Sequence, residues 1–477
     1  MMLLPESILD GSPSLETLYK RFTFEILYKK IDIYDIIAER TAQKNHIDKL
    51  VSIAQNLDDM QRLCRAFKAK ITYLMRIGDF NGARAICNRS LKLHKAQNDI
   101  KGQGYVLTQI GNTHFVQIDY DTALEYYGRA LECARTTDDK RNEAYVLNST
   151  GCALSLKTND YDEAIRLLER AAAIAYNIHD ERLYAQIKGN IGVMYEKTKK
   201  YDKALECYHT LLEINQKVGD KVTEVVNCGR VSNVLFYQDR FEESLRYCRE
   251  GIRKSRMLQE YRELSLILTT TGMNYCFLGM LERSELVFKI ALRIAEKIDY
   301  KVQEYYIHKN LSELYVYKNN LQKARQALIS AHDLAEELNT RELSMNIRIA
   351  SADLHRAEGR YVQALDELKN IDLSVMPQGL YVIRAQCYCA LKRYTDALAT
   401  SSCAVSMAGN AEALCVHAQV LLANEDIEAA QHYAQMAYNM IQKQALNIKN
   451  PAYRESFLTR APYNQDITRL YSALHDE

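Results

Sequence analysis

Apolar side chains recur along the chain at intervals of three and four. Tyr201, Ala204, Leu205, Tyr208 and Leu211 fall on one side of a helix, the period of a helix with one buried face. The two-residue alternation of a half-buried strand is missing. Proline stands only at positions 5, 13, 377, 451 and 462, so Ser14 to Met376 contains none of the residue that most reliably breaks helices. The pattern predicts helix after helix and no sheet.

The pattern also repeats at long range. An aromatic or aliphatic residue opens a helix at Phe80, Tyr120, Tyr161, Tyr201, Phe241, Leu281, Leu321 and Tyr361, a step of 40 residues and once of 41. Such a fixed period marks stacked repeats. Three residues after each stands a small side chain: Ala83, Ala123, Ala164, Ala204, Ser244, Ser284, Ala324 and Ala364. Two helices approach closely only where side chains are short, so this position predicts the crossing point of a helical hairpin. The preceding helix has its own small residue, at Gly111, Gly151, Gly192, Ser232, Gly272, Ser312 and Ala352, followed three later by His114, Leu154, Tyr195, Leu235, Tyr275, Tyr315 and His355. Small then large reads as hole and knob. Between units an acid recurs at Asp99, Asp139, Asp180, Asp220 and Glu260; the aspartates are placed to accept the unpaired amide hydrogens of the next helix, and the glutamate favours a helix start more weakly. Two further units step by 33, with Tyr394, Ala397 and Ala404 and then Ile427, Ala430, Ala434 and Ala437.

The run Ile110, Gly111, His114, repeated as Ile191, Gly192, Tyr195, and the run Ala123, Tyr127, Ala130, repeated as Ser284, Phe288, Ala291, resemble the two helix motifs of the tetratricopeptide repeat family. The resemblance covers roughly residues 50 to 445 and departs from the family in having no tryptophan and in placing bulky Ile71 at the small position of the first unit. It implies an all-α, right-handed superhelical solenoid of antiparallel helix pairs. The expected organisation is an N-terminal helical cap over 1–50, eight long repeats over 51–372, two shorter repeats over 373–445 and a C-terminal capping segment over 446–477. The 40-residue step is similar to that of spindle-orientation adaptors, bacterial peptide-sensing regulators and the repeat arms of bacterial signalling proteins. The run Ser456-Phe457-Leu458 followed by Pro462-x-Asn464 resembles a closing segment of the bacterial group and favours that reading.

Composition narrows the partners. Of 477 residues, 47% are hydrophobic and 26% charged, with 62 lysines and arginines against 61 aspartates and glutamates. This is the make-up of a folded protein with no global field toward phosphate or anionic lipid, so neither nucleic acid nor membrane is expected as a partner. The opening stretch has no basic start and its apolar run stops at Pro5; it reads as no secretory leader, and no stretch approaches the roughly 20 apolar residues of a membrane span. The expected compartment is the cytoplasm. The twelve cysteines are scattered, with Cys87, Cys207 and Cys248 inside amphipathic helices as small core residues. Cys387 and Cys389 flank Tyr388, a spacing that points two thiols to different sides of a helix, so no metal is expected there and no cofactor elsewhere.

In such a solenoid the first helices of the repeats line the inner surface. Their face opposite the core comprises the residues six and three before the small position and one and four after it. The candidate groove residues on that face are Tyr105, Thr108, Asn112, Tyr145, Asn148, Gln186, Glu196, Asn233, Tyr306, Lys309 and Glu313. Asparagine donates to and accepts from a peptide backbone and tyrosine offers flat area with a hydroxyl, chemistry suited to an extended peptide. The co-chaperone members of the family hold a C-terminal carboxylate with lysine, asparagine and arginine at the three-before and one-after positions of successive repeats. Here those pairs are Thr108 with Asn112, Asn148 with Cys152 and Gly189 with Val193, so that clamp is not expected.

No phosphate-binding Gly-x-x-x-x-Gly-Lys, no His-Glu-x-x-His and no Gly-x-Ser-x-Gly occurs. No catalytic residue is expected, and His114 and His355 read as packing histidines. The sequence therefore points to a non-catalytic scaffold or sensing arm that binds protein or peptide in cytosolic signalling. The alternative that the resemblance offers is a peptide-regulated protein acting as a phosphatase or inhibitor of a response regulator. It would need a catalytic polar pair near the N-terminus, and residues 14 to 60 show none.

Overall fold

The structure is a computed structural model and describes residues 14–36, 40–369, 371 and 378–475. The expected boundary at 372–373 and Pro377 lie outside these residues. Every element among them is helical, and the chain divides into two compact units, Met1–Ile214 and Asn215–Glu477.

The first unit holds α1 (Leu15–Ile36), α2 (Arg40–Asn56), α3 (Met60–Arg76), α4 (Phe80–Ala96), α5 (Ile100–Val116), α6 (Tyr120–Thr136), α7 (Lys140–Thr158), α8 (Tyr161–Asn177), α9 (Glu181–Lys197) and most of α10 (Tyr201–Val218). The second holds α11 (Lys221–Tyr237), α12 (Phe241–Leu258), α13 (Tyr261–Phe277), α14 (Leu281–Lys297), α15 (Lys301–Tyr317), α16 (Leu321–Leu338), α17 (Arg341–Ala357) and α18 (Tyr361–Glu367). It continues through α19 (Gln378–Ala390), α20 (Tyr394–Ala408), α21 (Ala411–Ala423), α22 (Ile427–Leu446), α23 (Pro451–Arg460) and α24 (Asn464–His475). Each unit is a stack of antiparallel helix pairs. The eight residues of the 40-residue register, Phe80 through Tyr361, are each the first residue of a pair's second helix.

Two devices make the pairs. At the crossing, the small residues of the second helices, Ala83, Ala123, Ala164, Ala204, Ser244, Ser284, Ala324 and Ala364, are all fully buried. Where the crossing residue of the second helix is serine, its hydroxyl donates to the facing helix, Ser244 Oγ to the Ser232 carbonyl at 2.6 Å and Ser284 Oγ to Gly272 at 2.8 Å; on the first helices Ser312 Oγ donates across to Ala324 at 2.9 Å, while Ser232 Oγ donates to Gly229 of its own helix at 2.8 Å. Glycine on the first helix is the hole, and its knob comes from the second helix. A Cβ on Gly111, Gly192 or Gly272 would lie 2.5 Å from the ring of Tyr127, Tyr208 or Phe288 respectively. The large residue three after the small one has a different task. Tyr195 donates to Glu169 at 3.2 Å and Tyr315 to Glu285 at 3.1 Å, each tying a first helix to the preceding pair.

The second device is the turn. Each helix from α2 to α17 ends in one residue of left-handed conformation, such as Asn98 (φ 52°), Ile118 (φ 66°) or Asp138 (φ 51°), followed at once by the residue that precedes the next helix. The N-cap amide returns to the carbonyl five residues back, Asp99 to His94 at 2.9 Å and Asp139 to Ala134 at 2.8 Å, closing the exposed end of the finished helix. The N-cap carboxylate then accepts from the new helix: Asp99 from Gly102 N at 2.9 Å, Asp139 from Asn142 N at 3.2 Å, Asp180 from Leu183 N at 3.1 Å and Asp220 from Thr223 N at 3.0 Å. Glu260 caps without a side-chain bond, because its longer side chain does not hold the geometry that aspartate does.

In the second unit the last elements fold back on earlier pairs. α24 packs on α22, with Tyr438 and Tyr471 stacked at 4.1 Å. α23 and its flanks meet α12 and the turn after α13. Phe457 joins Phe236, Phe241 and Leu278 in one core. Glu242 Oε2 accepts from the Lys449 and Asn450 amides at 2.7 and 3.3 Å. Gly279, at φ 75°, approaches so closely that a Cβ would lie 2.6 Å from the Ala461 nitrogen and the Ser456 carbonyl. Tyr463 reaches the Tyr317 hydroxyl at 3.1 Å. Beside them, burial pushes the Glu412 carboxyl up to about 7, opposed by the Tyr463 hydrogen bond and Arg356 and helped by Asp353.

Three stability predictions follow from these contacts. Ile118 is 70% exposed, and a β-branched residue in left-handed conformation costs about 1–2 kcal/mol. Part of that is offset by glycine's greater unfolded freedom, so Ile118→Gly raises the stability of the first unit by about 0.5–1 kcal/mol, read as a higher urea midpoint. Gly192→Ala gains about 1 kcal/mol of helix propensity but drives a methyl into the buried Tyr208 ring; overpacking of about 1–3 kcal/mol wins, and the midpoint falls. Glu412 takes up a proton in the folded state that it lacks unfolded, so its contribution is full below the ordinary carboxylate range and is lost as pH rises toward 7. Glu412→Gln therefore stabilises the second unit by about 1–2 kcal/mol at pH 8 and changes little at pH 4.5.

Candidate binding cavity in the first unit

The first unit contains an open cavity of about 760 Å³ built by α3, α4, α5, α7 and α9. Its walls follow the repeat register. The residue six before the small position contributes Tyr105, Tyr145 and Gln186; the residue nine before contributes Gly102, Asn142 and Leu183; the residue ten before contributes Lys101, Arg141 and Arg182. Cys64, Arg65 and Lys68 from α3, with Ser90 and His94 from α4, close one end.

Each cation has a defined setting. Lys101 pairs with Asp139 at 3.3 Å and Arg141 with Asp180 at 2.7 Å, so each reaches from one first helix to the N-cap of the next. Arg182 is exposed. Lys68 lies over the Tyr105 ring at 4.7 Å, an attraction between ammonium and ring face, and burial pushes the Tyr105 phenol up. Arg65 grips Glu25 through two bonds of 2.8 and 2.9 Å.

Cys64, His94 and Asp99 meet in the cavity, but not as a nucleophile with its base. His94 Nδ1 lies 2.9 Å from Asp99 Oδ2 and 4.0 Å from Cys64 Sγ. One ring nitrogen faces both partners, whereas a relay needs the nucleophile on one nitrogen and the carboxylate on the other. Burial and the Asp99 charge raise the Cys64 thiol above its ordinary range, which keeps it protonated. His114 repeats the arrangement with Asp119 at 2.9 Å, marking it as a helix-end device. Among the described residues no group of three potential ligands could hold a metal ion, the twelve cysteines are free thiols, and no helix is long and apolar enough to cross a membrane.

Of the candidate groove residues, Tyr105, Tyr145 and Gln186 line this cavity. At the three-before position Thr108 and Asn148 are buried. Thr108 is 1% exposed and its hydroxyl donates to the Gly104 carbonyl at 2.8 Å; Asn148 accepts from Asn190 of the next first helix at 2.8 Å. Asn112 accepts from Tyr127 at 2.8 Å and meets the Tyr145 hydroxyl at 3.5 Å, while Glu196 accepts from Tyr208 at 3.0 Å. In the second unit Asn233 is half-buried, Tyr306 packs edge-on against Tyr305 at 5.0 Å, and Lys309 pairs with Glu313 at 2.5 Å. The cations ten before the small residue were not among the candidates. Their signal was present, since the same register reads Lys, Arg and Arg in three repeats in a row.

Residues 102–177 and 189–222 match family models described as tetratricopeptide repeat. These are tetratricopeptide repeats. The chain is 30% identical over 121 residues to tetratricopeptide repeat protein 12 of Mus musculus, covering 25% of this chain and 15% of that protein. It is 24% identical over 164 residues to the 43 kDa receptor-associated protein of the synapse of Tetronarce californica, covering 34% and 40%. The chain thus spans less than half the length of these curated relatives. Among solved structures, the apo quorum sensor NprR of B. thuringiensis is similar at a TM-score of 0.53 and 14% identity, over 69% of this chain and 90% of that one. A signal-transduction ATPase with a tetratricopeptide repeat sensor from Pyrococcus horikoshii is similar at a TM-score of 0.52 and 15% identity, over 71% and 50%. The likeness in these last two is one of tetratricopeptide fold.

Proposed function

We propose that this chain is a non-catalytic tetratricopeptide scaffold or sensing arm in cytosolic signalling, and that the cavity of the first unit holds an extended stretch of a partner polypeptide. The observation that carries this reading is the periodic lining: three register positions in three successive repeats face one open space of about 760 Å³, so a guest running along the stack meets the same set of side chains at each step. An extended chain fits a surface with a one-dimensional repeat. Tyr105 and Tyr145 supply flat area, and Gln186, Gln109 and Asn142 supply paired donors and acceptors for a backbone. The tetratricopeptide relatives include a quorum sensor and a receptor-associated protein, which supports a protein-recognition role.

Gln186 is exposed, so Gln186→Trp fills the cavity mouth without disturbing the core. Captured from native cytosol, the partners of the wild-type chain are expected to be lost from Gln186→Trp at unchanged helical circular dichroism. Equal recovery of the same partners by both proteins overturns the cavity as the guest site.

A further inference from the structure

We infer that the cavity of the first unit selects an acidic peptide, reading carboxylate side chains through the ladder Lys101, Arg141 and Arg182. The inference rests on the guest reading above and adds the chemistry of the guest. Its ground is the way each rung is divided between buried and exposed atoms. Asp139 and Asp180 spend one carboxylate oxygen on the amide of their own helix, Asn142 N at 3.2 Å and Leu183 N at 3.1 Å, and turn the other to Lys101 and Arg141. The acids are the covered members, with side chains 13% and 18% exposed, while their cations are 68% and 74% exposed. At these two rungs what a guest touches is therefore positive, although each pair is neutral as a whole, while Asp99 at the end of the cavity by α4 is 42% exposed and spends one oxygen on His94. The third rung, Arg182, makes no ion pair among the described residues.

Half-exposed ion pairs of this kind contribute little net stability, because solvent screens them. The remaining donors of Lys101 and Arg141 are thus available to a guest carboxylate at little cost, and the planar fork of arginine suits two-point contact with it. Polypeptide is favoured over a single-stranded nucleic acid by the same pairing. A phosphate backbone gains affinity from uncompensated cations that release its counterions, whereas here Asp99 and Asp139 line the cavity with the cations. Spaced carboxylates on a neutral backbone match a ladder of cations set one per repeat.

The test uses the whole chain and labelled octaglutamate, octaglutamine and an eight-nucleotide oligothymidylate, followed by fluorescence anisotropy. Octaglutamate is expected to bind roughly tenfold more tightly than octaglutamine at low salt and to weaken as salt screens the ladder. Arg182→Glu breaks no ion pair, so it leaves folding intact, and it should cut octaglutamate affinity by roughly fivefold or more; Lys101→Ala with Arg141→Ala should remove most of what is left. Octaglutamate binding no tighter than octaglutamine, or binding unchanged by Arg182→Glu, overturns the acid preference while the Gln186→Trp capture result still decides whether the cavity is a guest site. Tighter binding of the oligothymidylate than of octaglutamate also overturns it.

Discussion

Everything in this molecule depends on how closely two helices of a pair approach at one point. A helix pair buries little by itself, and stacking in register is what turns many small contacts into a continuous core. The approach is set by a side chain with no more than one heavy atom beyond Cα or one hydroxyl, fully buried in every long pair. Filling the space from the other side by Tyr127, Tyr208 or Phe288 fixes the sliding register as well, because an aromatic ring fits only over the glycine opposite. Where serine replaces alanine at the crossing, its bond to the facing carbonyl satisfies the buried hydroxyl locally. The pair geometry thereby survives a polar substitution.

Given that spacing, the turns decide where each new helix begins. A left-handed residue followed directly by an N-cap leaves no slack between helices, so a displacement at one crossing is carried to the next. The same rigidity explains how the cavity is periodic. Because α5, α7 and α9 start from equivalent aspartate caps, side chains six, nine and ten residues before successive small positions come to equivalent places, and the cation of one repeat finds the cap carboxylate of the next. Lys101 with Asp139 and Arg141 with Asp180 are consequences of that regularity as much as candidates for recognition.

The helical class, the pairing and the crossing positions were legible in the sequence because they repeat ten times with one physical cause. Asp99, Asp139, Asp180 and Asp220 were legible as caps for the same reason. Single events were harder to read. The left-handed turn residues include Ile118, Lys199 and Gln259, residue types that carry no signature for that conformation. The burial of Thr108 and Asn148 was missed because helical spacing places them away from the partner helix of their own pair but says nothing of the neighbouring first helix, which covers them. Of the candidate groove, the six-before residues Tyr105, Tyr145 and Gln186 reach the cavity and the three-before residues Thr108 and Asn148 do not; an ideal wheel has one core face, whereas a helix in a stack has two.

The fold-back of the second unit follows from the same principle. A helix pair with an open apolar face promotes association, so that face has to be covered. On the pair α21 and α22 the covering is supplied by α23 and α24, and α23 with its flanks also reaches α12 and the turn after α13, with Ser456 and Ala461 pressed against Gly279. A side chain at position 279 would collide with main chain on the other side, and main chain cannot swing away as a side chain tip does. Closure of the second unit is thus specified by one residue without a side chain, just as each helix pair is specified by one small crossing residue. The difference is that here the residues brought together lie almost two hundred positions apart, so no local period in the sequence could announce it.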